Sequence, residues 1–472
     1  MVFSSIPFLF FFLPLFFFLY YLVPFRAKNY ILLVFSLLFY AWGEPIYILL
    51  MVLSSVIDYS IGRLMDHYNR VPWKRTCLLC ASIAANLSIL GFFKYADFFV
   101  ETINLIAHTS IPTLDLPLPI GISFFTFQTM SYSIDLYRRE VKVEKNFFAF
   151  MTYVSMFPQL IAGPIVRFST VNEELHSRSV DFKGFYQGSF RFLQGLLKKV
   201  LLANQMGALW NMIQELPSKE LSVVTAWLGA IAFTLQLYFD FSAYSDMAIG
   251  MGQMMGFHYL ENFNYPLCAK SVTEFWRRWH ISLSTWFRDY VYIPLGGNRK
   301  GIGKQIRNIT IVWFLTGMWH GASWNYILWG VYYGILLILE KFIWGKALEK
   351  WPKVLQHLYT FFIVVVGFTV FVFEDWGKLG WYMKHMIGLA GNQLAGTEFL
   401  YYFRNYGVLF LCCMVLAMPF YPWLMKRIQR IRKNGIGRLL KGCFALWYVV
   451  LFILTVAFLV SDTYNPFLYF RF

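Results

Sequence analysis

Ile309-Thr-Ile-Val-Trp-Phe-Leu-Thr-Gly317-Met-Trp-His320-Gly-Ala-Ser323-Trp-Asn325-Tyr-Ile-Leu-Trp-Gly-Val-Tyr-Tyr-Gly-Ile-Leu-Leu-Ile-Leu339 contains no Asp, Glu, Lys or Arg. A run this long and apolar belongs in a bilayer. Gly317 and the pair His320-Gly321 interrupt it, so it does not read as one plain span. Broken backbone at membrane depth survives only where protein or a water-filled cavity satisfies it. His320 sits at the break. An ionisable group at that depth is costly and is a functional candidate by default. Imidazole is cheap to bury, because it can stay neutral and still accept a proton. Met156 to Arg167, apolar but broken by two prolines and a glycine, reads as a second wall of the same kind of cavity.

Working outward, the 472 residues are 58% hydrophobic and 14% charged. A soluble domain carries about 25% charged residues, so this chain reads as an all-α integral membrane protein. Aromatics reach 21%, suited to interfacial belts. Ile6 to Val23 is apolar, with no basic residue before it and no cleavage site after it, and reads as a retained helix. Charge-poor runs recur at 6–24, 29–43, 46–61, 76–93, 118–137, 190–212, 222–254, 354–373, 398–421 and 443–461. Basic loops alternate with near-neutral ones, which places both termini outside the cytosol. These loops account for most of the net charge of +16. No basic face on a soluble module is visible, which argues against nucleic acid as a partner. Cys77-x-x-Cys80 has no second pair, and all six cysteines read as small core residues without disulfide or metal.

Two histidines could carry chemistry. His320 could take a proton from a hydroxyl as that oxygen attacks a thioester. Backbone amides near the break, the Asn325 amide or Ser323 could stabilise the oxyanion. Equally, His320 could be a core histidine bonding a neighbouring carbonyl. His280 lies in Phe275-Trp-Arg-Arg-Trp-His280, with Arg277, Arg278, Trp279 and Arg288 around it. Guanidinium groups beside tryptophans suit phosphate binding and stacking on a flat ring. That would fit a phosphate-bearing acyl donor; the plainer reading is an interfacial amphipathic helix. Asp240 and Asp246 fall on different faces of one helix. They read as structural, paired with arginines such as Arg277 or Arg278. No Walker, Rossmann or Ser-His-Asp arrangement is present.

Five pieces carry a resemblance: Pro119-Ile-Gly-Ile-Ser-Phe-Phe-Thr-Phe-Gln128, Phe157-Pro-Gln159-Leu-Ile-Ala-Gly-Pro164, Phe239-Asp-Phe-Ser-Ala-Tyr-Ser-Asp-Met-Ala-Ile-Gly250, Phe275 to Tyr290, and Gly317-Met-Trp-His-Gly321. The chain resembles the membrane-bound O-acyltransferase family in its bacterial alginate O-acetyltransferase branch. The resemblance implies one domain over 1–472, with a catalytic core at about 115–345. It implies a ring of about ten or more tilted helices plus re-entrant segments around a central funnel. His320 would be catalytic, His280 would line the cytosolic mouth, and Gln128 and Gln159 would belong to the funnel. No bound cofactor or metal is implied; acetyl-CoA would be the donor substrate. The setting would be the bacterial cytoplasmic membrane. The partner would be an extracytoplasmic SGNH-type acetyltransferase of the AlgJ or AlgX kind, and the acceptor a polysaccharide. The teichoic-acid D-alanylation proteins, which use a carrier-protein thioester, are a more distant cousin. In the stretch 465–472, Phe467-x-Tyr469-x-x-Phe472 resembles a C-terminal motif of envelope-acylation proteins, which implies that Tyr469 relays the acyl group. A transporter using the histidines as a proton relay is the competing reading, and only an acyltransferase would cleave a thioester.

Overall fold

Capping residues set where several of the helices start. Asn146 caps one helix through Phe148 N at 2.9 Å, Asp181 another through Gly184 N at 2.7 Å, and Ser271 a third through Glu274 N at 3.0 Å. The computed structural model describes residues 1–161, 163–431, 436–461 and 466–468, without the side chains of 428–441. In chain order the helices are α1 (Leu13–Leu22), α2 (Phe25–Gly43), α3 (Ile48–His67), α4 (Pro72–Ala107), α5 (Ile122–Arg138), α6 (Phe147–Ser155), α7 (Phe157–Leu160), α8 (Phe168–His176), α9 (Phe182–Leu197), α10 (Asn204–Gln214) and α11 (Val223–Met255). They continue with α12 (Val272–Arg278), α13 (Ile281–Phe287), α14 (Ile302–His320), α15 (Trp324–Leu339), α16 (Gly345–Leu348), α17 (Lys353–Val372), α18 (Trp376–Met386), α19 (Thr397–Leu416), α20 (Phe420–Ile431) and α21 (Ile436–Ser461). No strand occurs among the described residues.

Seven of the described helices are long and apolar enough to cross a membrane. Six coincide with runs expected from sequence, and the seventh, Trp324–Leu348, is the far half of the broken segment. The remaining runs, 6–24, 29–43, 118–137 and 190–212, are helical but shorter or more charged. The last is part of α9 and α10, joined through a π turn at Lys198–Ala203. α11 lies at the centre, with 72% of its most apolar window buried, so it faces protein nearly all round.

Three of the basic segments meet. Arg75 donates to the carbonyls of Leu136 and Tyr137 at 2.9 and 3.0 Å. Arg138 donates to Asp289 O at 3.0 Å. Chain breaks occur where the sequence suggests them. α6 gives way at Met156 to the single turn α7, and residues 163–167 have no regular secondary structure. α14 stops at His320, Gly321 is extended, and α15 starts at Trp324. α14 and α15 pack closely because Gly317 has no side chain; a Cβ there would lie 2.5 Å from Tyr326 O. The cysteine reading is corrected. Cys77, Cys80, Cys412 and Cys443 face outward and only Cys413 is buried. A thiol is apolar enough to face lipid, so hydrophobicity alone does not make it core.

Candidate active site

His280 is built by its backbone. It separates α12 from α13 and adopts φ +43°, the left-handed region that a non-glycine residue enters at some cost. Asn262 supports it. Its backbone carbonyl accepts from Ile281 N at 2.9 Å, and its side-chain Oδ1 accepts from Ser282 N at 3.2 Å and Ser282 Oγ at 2.9 Å. That oxygen lies 3.1 Å from His280 Nδ1. An oxygen that already accepts from a backbone N–H can only accept from the ring, so we assign the proton to Nδ1. Nε2 is then the lone-pair nitrogen. It is buried and has no partner among the described residues. The proline-broken segment after α7 docks on the same break, because Ile165 N donates to Ser282 Oγ at 3.0 Å.

His320 ends α14 and is 6% exposed. Its ring meets Trp329 and Phe371 edge to face at 4.9 and 5.3 Å. Trp319 links the two histidines, with its indole 5.8 Å from the His280 ring and 5.0 Å from that of His320. His320, Trp319, Lys94 and the first turn of α5 line a cavity of about 30 Å³. The void has room for one or two waters.

The other expected residues divide. Asn325 is fully buried and its Nδ2 donates to Phe371 O at 2.9 Å, tying α15 to α17. Ser323 is half-buried at the head of α15. Arg277 is exposed; Arg278 pairs with Glu274 at 2.6 Å. Trp279 is in the core, stacked on Phe275 at 5.5 Å. Arg288 bonds Asp289 at 2.6 Å and is joined there by Arg167 at 2.9 Å. Partial burial pushes the Asp289 carboxyl up, but hydrogen bonds and charge from Arg288 and Arg167 outweigh it and hold it below the usual carboxylate range. Arg167 and Arg138 also lie over the Tyr290 ring at 4.9 and 5.3 Å from its centre. The basic cluster below His280 is therefore Arg138, Arg167 and Arg288, and sequence proximity alone missed its first two members. Asn262 was missed too; eighteen residues before His280, it carries no motif of its own. Gln128 and Gln159 are fully buried. Gln159 Nε2 donates to Tyr153 O at 2.8 Å, while the Gln128 amide has no partner among the described residues.

The aspartate pairings are corrected. Asp246 pairs with Arg191 at 2.9 Å and Lys198 at 2.6 Å, not with Arg277 or Arg278. Asp240 pairs with Lys199 at 2.5 Å. The reason is packing: α11 lies along α9 and its π turn, so the cations of that helix face it. The pair also holds the chain near its end. Lys199 Nζ donates to Pro466 O at 3.2 Å, and Asp240 Oδ2 accepts from Leu468 N at 2.7 Å. Phe467 is buried against Tyr244, ring centres 4.7 Å apart. Tyr469 lies outside the described residues.

Residues 125–373, which include this buried histidine pair and its broken helices, match the model of the membrane-bound O-acyltransferase family, MBOAT. The chain belongs to that family. A Pseudomonas aeruginosa protein named "Probable alginate O-acetylase AlgI" is 43% identical over 379 residues, covering 79% of this chain and 72% of the relative. The Pseudomonas putida protein of the same name is 38% identical over 503 residues, covering all of both chains. The "Peptidoglycan O-acetyltransferase" of Helicobacter pylori is 35% identical over 441 residues, covering 85% of this chain and 83% of its own length. This MBOAT protein is thus a multi-pass membrane O-acyltransferase. The family match spans both histidines, both broken segments, Asn262 and the arginines around Asp289.

Proposed function

We propose that this protein moves acetyl groups from a cytosolic thioester, acetyl-CoA, across the bacterial cytoplasmic membrane for O-acetylation of an extracytoplasmic polysaccharide. The observation that carries the reading is the pair His280 and His320 on either side of Trp319 at one end of α14, with α13 running from His280 to the basic cluster at Arg288. The basic cluster is cytosolic by the charge rule. Arg138, Arg167 and Arg288 then face the cytosol, where guanidinium groups would hold the phosphates of the donor. The relatives' names supply acetyl and polysaccharide.

In this reading His320 is the base. An acceptor hydroxyl adds to the thioester carbonyl carbon as its proton passes to the imidazole. The C–S bond then breaks, and the thiolate leaves with that proton. His280, held in one tautomer by Asn262, orients the acyl end of the donor below Trp319. Tyr469 is the proposed first acceptor. It follows Leu468 directly, and Leu468 is held by Asp240. The acyl group would then pass from the acyl-tyrosine to a nucleophile of an outer SGNH-type partner of the AlgJ or AlgX kind, restoring the tyrosine hydroxyl, so neither CoA nor polymer need cross. The test is purified protein with radiolabelled acetyl-CoA and partner. Wild type should release CoA and transfer label, and His320→Ala should bind donor without doing either. Equal label transfer by His320→Ala ends the reading, and so does a wild type that never cleaves the thioester.

A further inference from the structure

Acyl transfer needs a base, and it also needs something to receive the negative charge that develops on the carbonyl oxygen. The Asn325 amide, expected from sequence to do this, donates to Phe371 O at 2.9 Å. Lys94 of α4 is buried beside His320 and has no Asp or Glu within ion-pair distance among the described residues. Its Nζ donates to Trp319 O at 2.5 Å and lies 3.4 Å from Ser123 Oγ. An ammonium has three hydrogens, so these contacts account for two. The cavity it shares with His320 is also lined by Gly121 and Ser123 at the start of α5, and no carboxylate lines it. The N-terminus of a 17-residue helix adds partial positive charge there. A buried cation, a hydroxyl and a helix N-terminus around one small void make a site for an anion, and a buried cation without one is costly.

We propose that Lys94, with the Ser123 hydroxyl, receives the acyl carbonyl oxygen during transfer. The inference rests on the acyltransferase reading. As the acceptor oxygen bonds to the carbonyl carbon, the acceptor's proton goes to His320 and the carbonyl π pair moves onto oxygen, facing the ammonium. The pair returns, the C–S bond breaks, and the thiolate takes the proton from His320.

A plainer role would be structural. Lys94 and its neighbour Tyr95, which donates to Met318 O, cap the last carbonyls of α14 and hold His320 in place. Three variants separate the roles. Lys94→Gln keeps an amide donor for Trp319 O but removes the charge, Lys94→Arg keeps the charge, and Lys94→Met removes both. Each is purified in detergent beside wild type and His320→Ala, checked by gel filtration and thermal unfolding, and assayed for CoA release. If Lys94 receives the oxyanion, Lys94→Gln and Lys94→Met each lose about 10²–10³ in kcat with donor KM within about two-fold, and Lys94→Arg retains the most. A folded Lys94→Gln protein with kcat within about three-fold of wild type overturns the proposal and leaves only the cap. Methylphosphonate, a small tetrahedral anion, tests wild type directly. It should inhibit, and failure to inhibit at millimolar concentration overturns the site even if every variant misfolds. A wild type without thioester cleavage would instead remove the proposed function and this role with it.

Discussion

Asp240 and Lys199 form an ion pair at 2.5 Å with both side chains almost wholly buried, and the same two groups hold the backbone of residues 466–468. Each charge is neutralised by the other, and each group makes one further hydrogen bond to a peptide group. The pair therefore ties α11 and the π turn after α9 to the far end of the chain. Removing one partner leaves a buried charge uncompensated, which costs about 3–5 kcal/mol. Lys199→Met and Asp240→Asn should each lower the unfolding temperature in detergent and expose residue 467. A Phe467→Cys reporter, unreactive to maleimide in the otherwise wild-type protein, should label in both. The double variant Asp240→Leu/Lys199→Met should recover stability but not the docking of 466–468. Unchanged labelling in the single variants would show that Phe467 burial alone holds the segment.

His320 is expected to be chemical in role. His320→Gln should fold and bind donor but lose about 10²–10⁴ in transfer rate, the usual contribution of a general base. Asn262 acts one step back. Its Oδ1 serves Ser282 N, Ser282 Oγ and His280 Nδ1, so Asn262→Ala strands three donors at once. Asn262→Asp restores an acceptor in the same place. Transfer should fall strongly in the alanine variant and recover in the aspartate variant. Equal loss in both would mean that the acceptor is not what matters there.

Much of this was legible in the chain. Apolar length and basic loops announced an all-helical membrane protein, and the glycines and prolines at 156–167 and 317–321 marked the broken backbone. The residues that complete the site were not legible, because they are brought in by packing. Lys94 lies 226 positions before His320, inside an apolar helix where it looks like a stray charge. Asn262 lies in an irregular loop. Asp240 was expected to meet the arginines nearest in sequence. It met Lys199 instead because α9 and its π turn pack against α11. Trp279 looked available for stacking on a ligand ring, but Phe275 and Phe368 already cover it.

The donor contact is expected at the arginines gathered around Asp289. Arg167→Gln with Arg288→Gln should raise the KM for acetyl-CoA while leaving kcat within a few-fold, since these groups lie far from the reacting carbonyl. Arg277→Gln, at an exposed position, should change KM less. A truncated donor lacking the nucleotide phosphates should be insensitive to the double substitution. If the double variant instead lowers kcat at saturating donor, the cluster is holding the fold of the 288–292 turn and not the donor.

The same cluster gives a pH dependence whose sign follows from its geometry. The Asp289 carboxyl is held low by Arg288 and Arg167. A carboxyl whose folded-state value is depressed adds stability above its unfolded value and loses it as pH falls through the folded one. Ordinary aspartate titrates near about 3.9. The difference in unfolding temperature between wild type and Asp289→Asn should therefore be flat across roughly pH 6–8 and should close below about pH 4. Salt should narrow it at neutral pH, because Arg288 is exposed and its share of the interaction is screened. A gap that instead widens on acidification would mean that the protonated carboxyl is the stabilising form, as a hydrogen-bond donor within the turn, and the arginines would then be free to meet the donor without competition from Asp289.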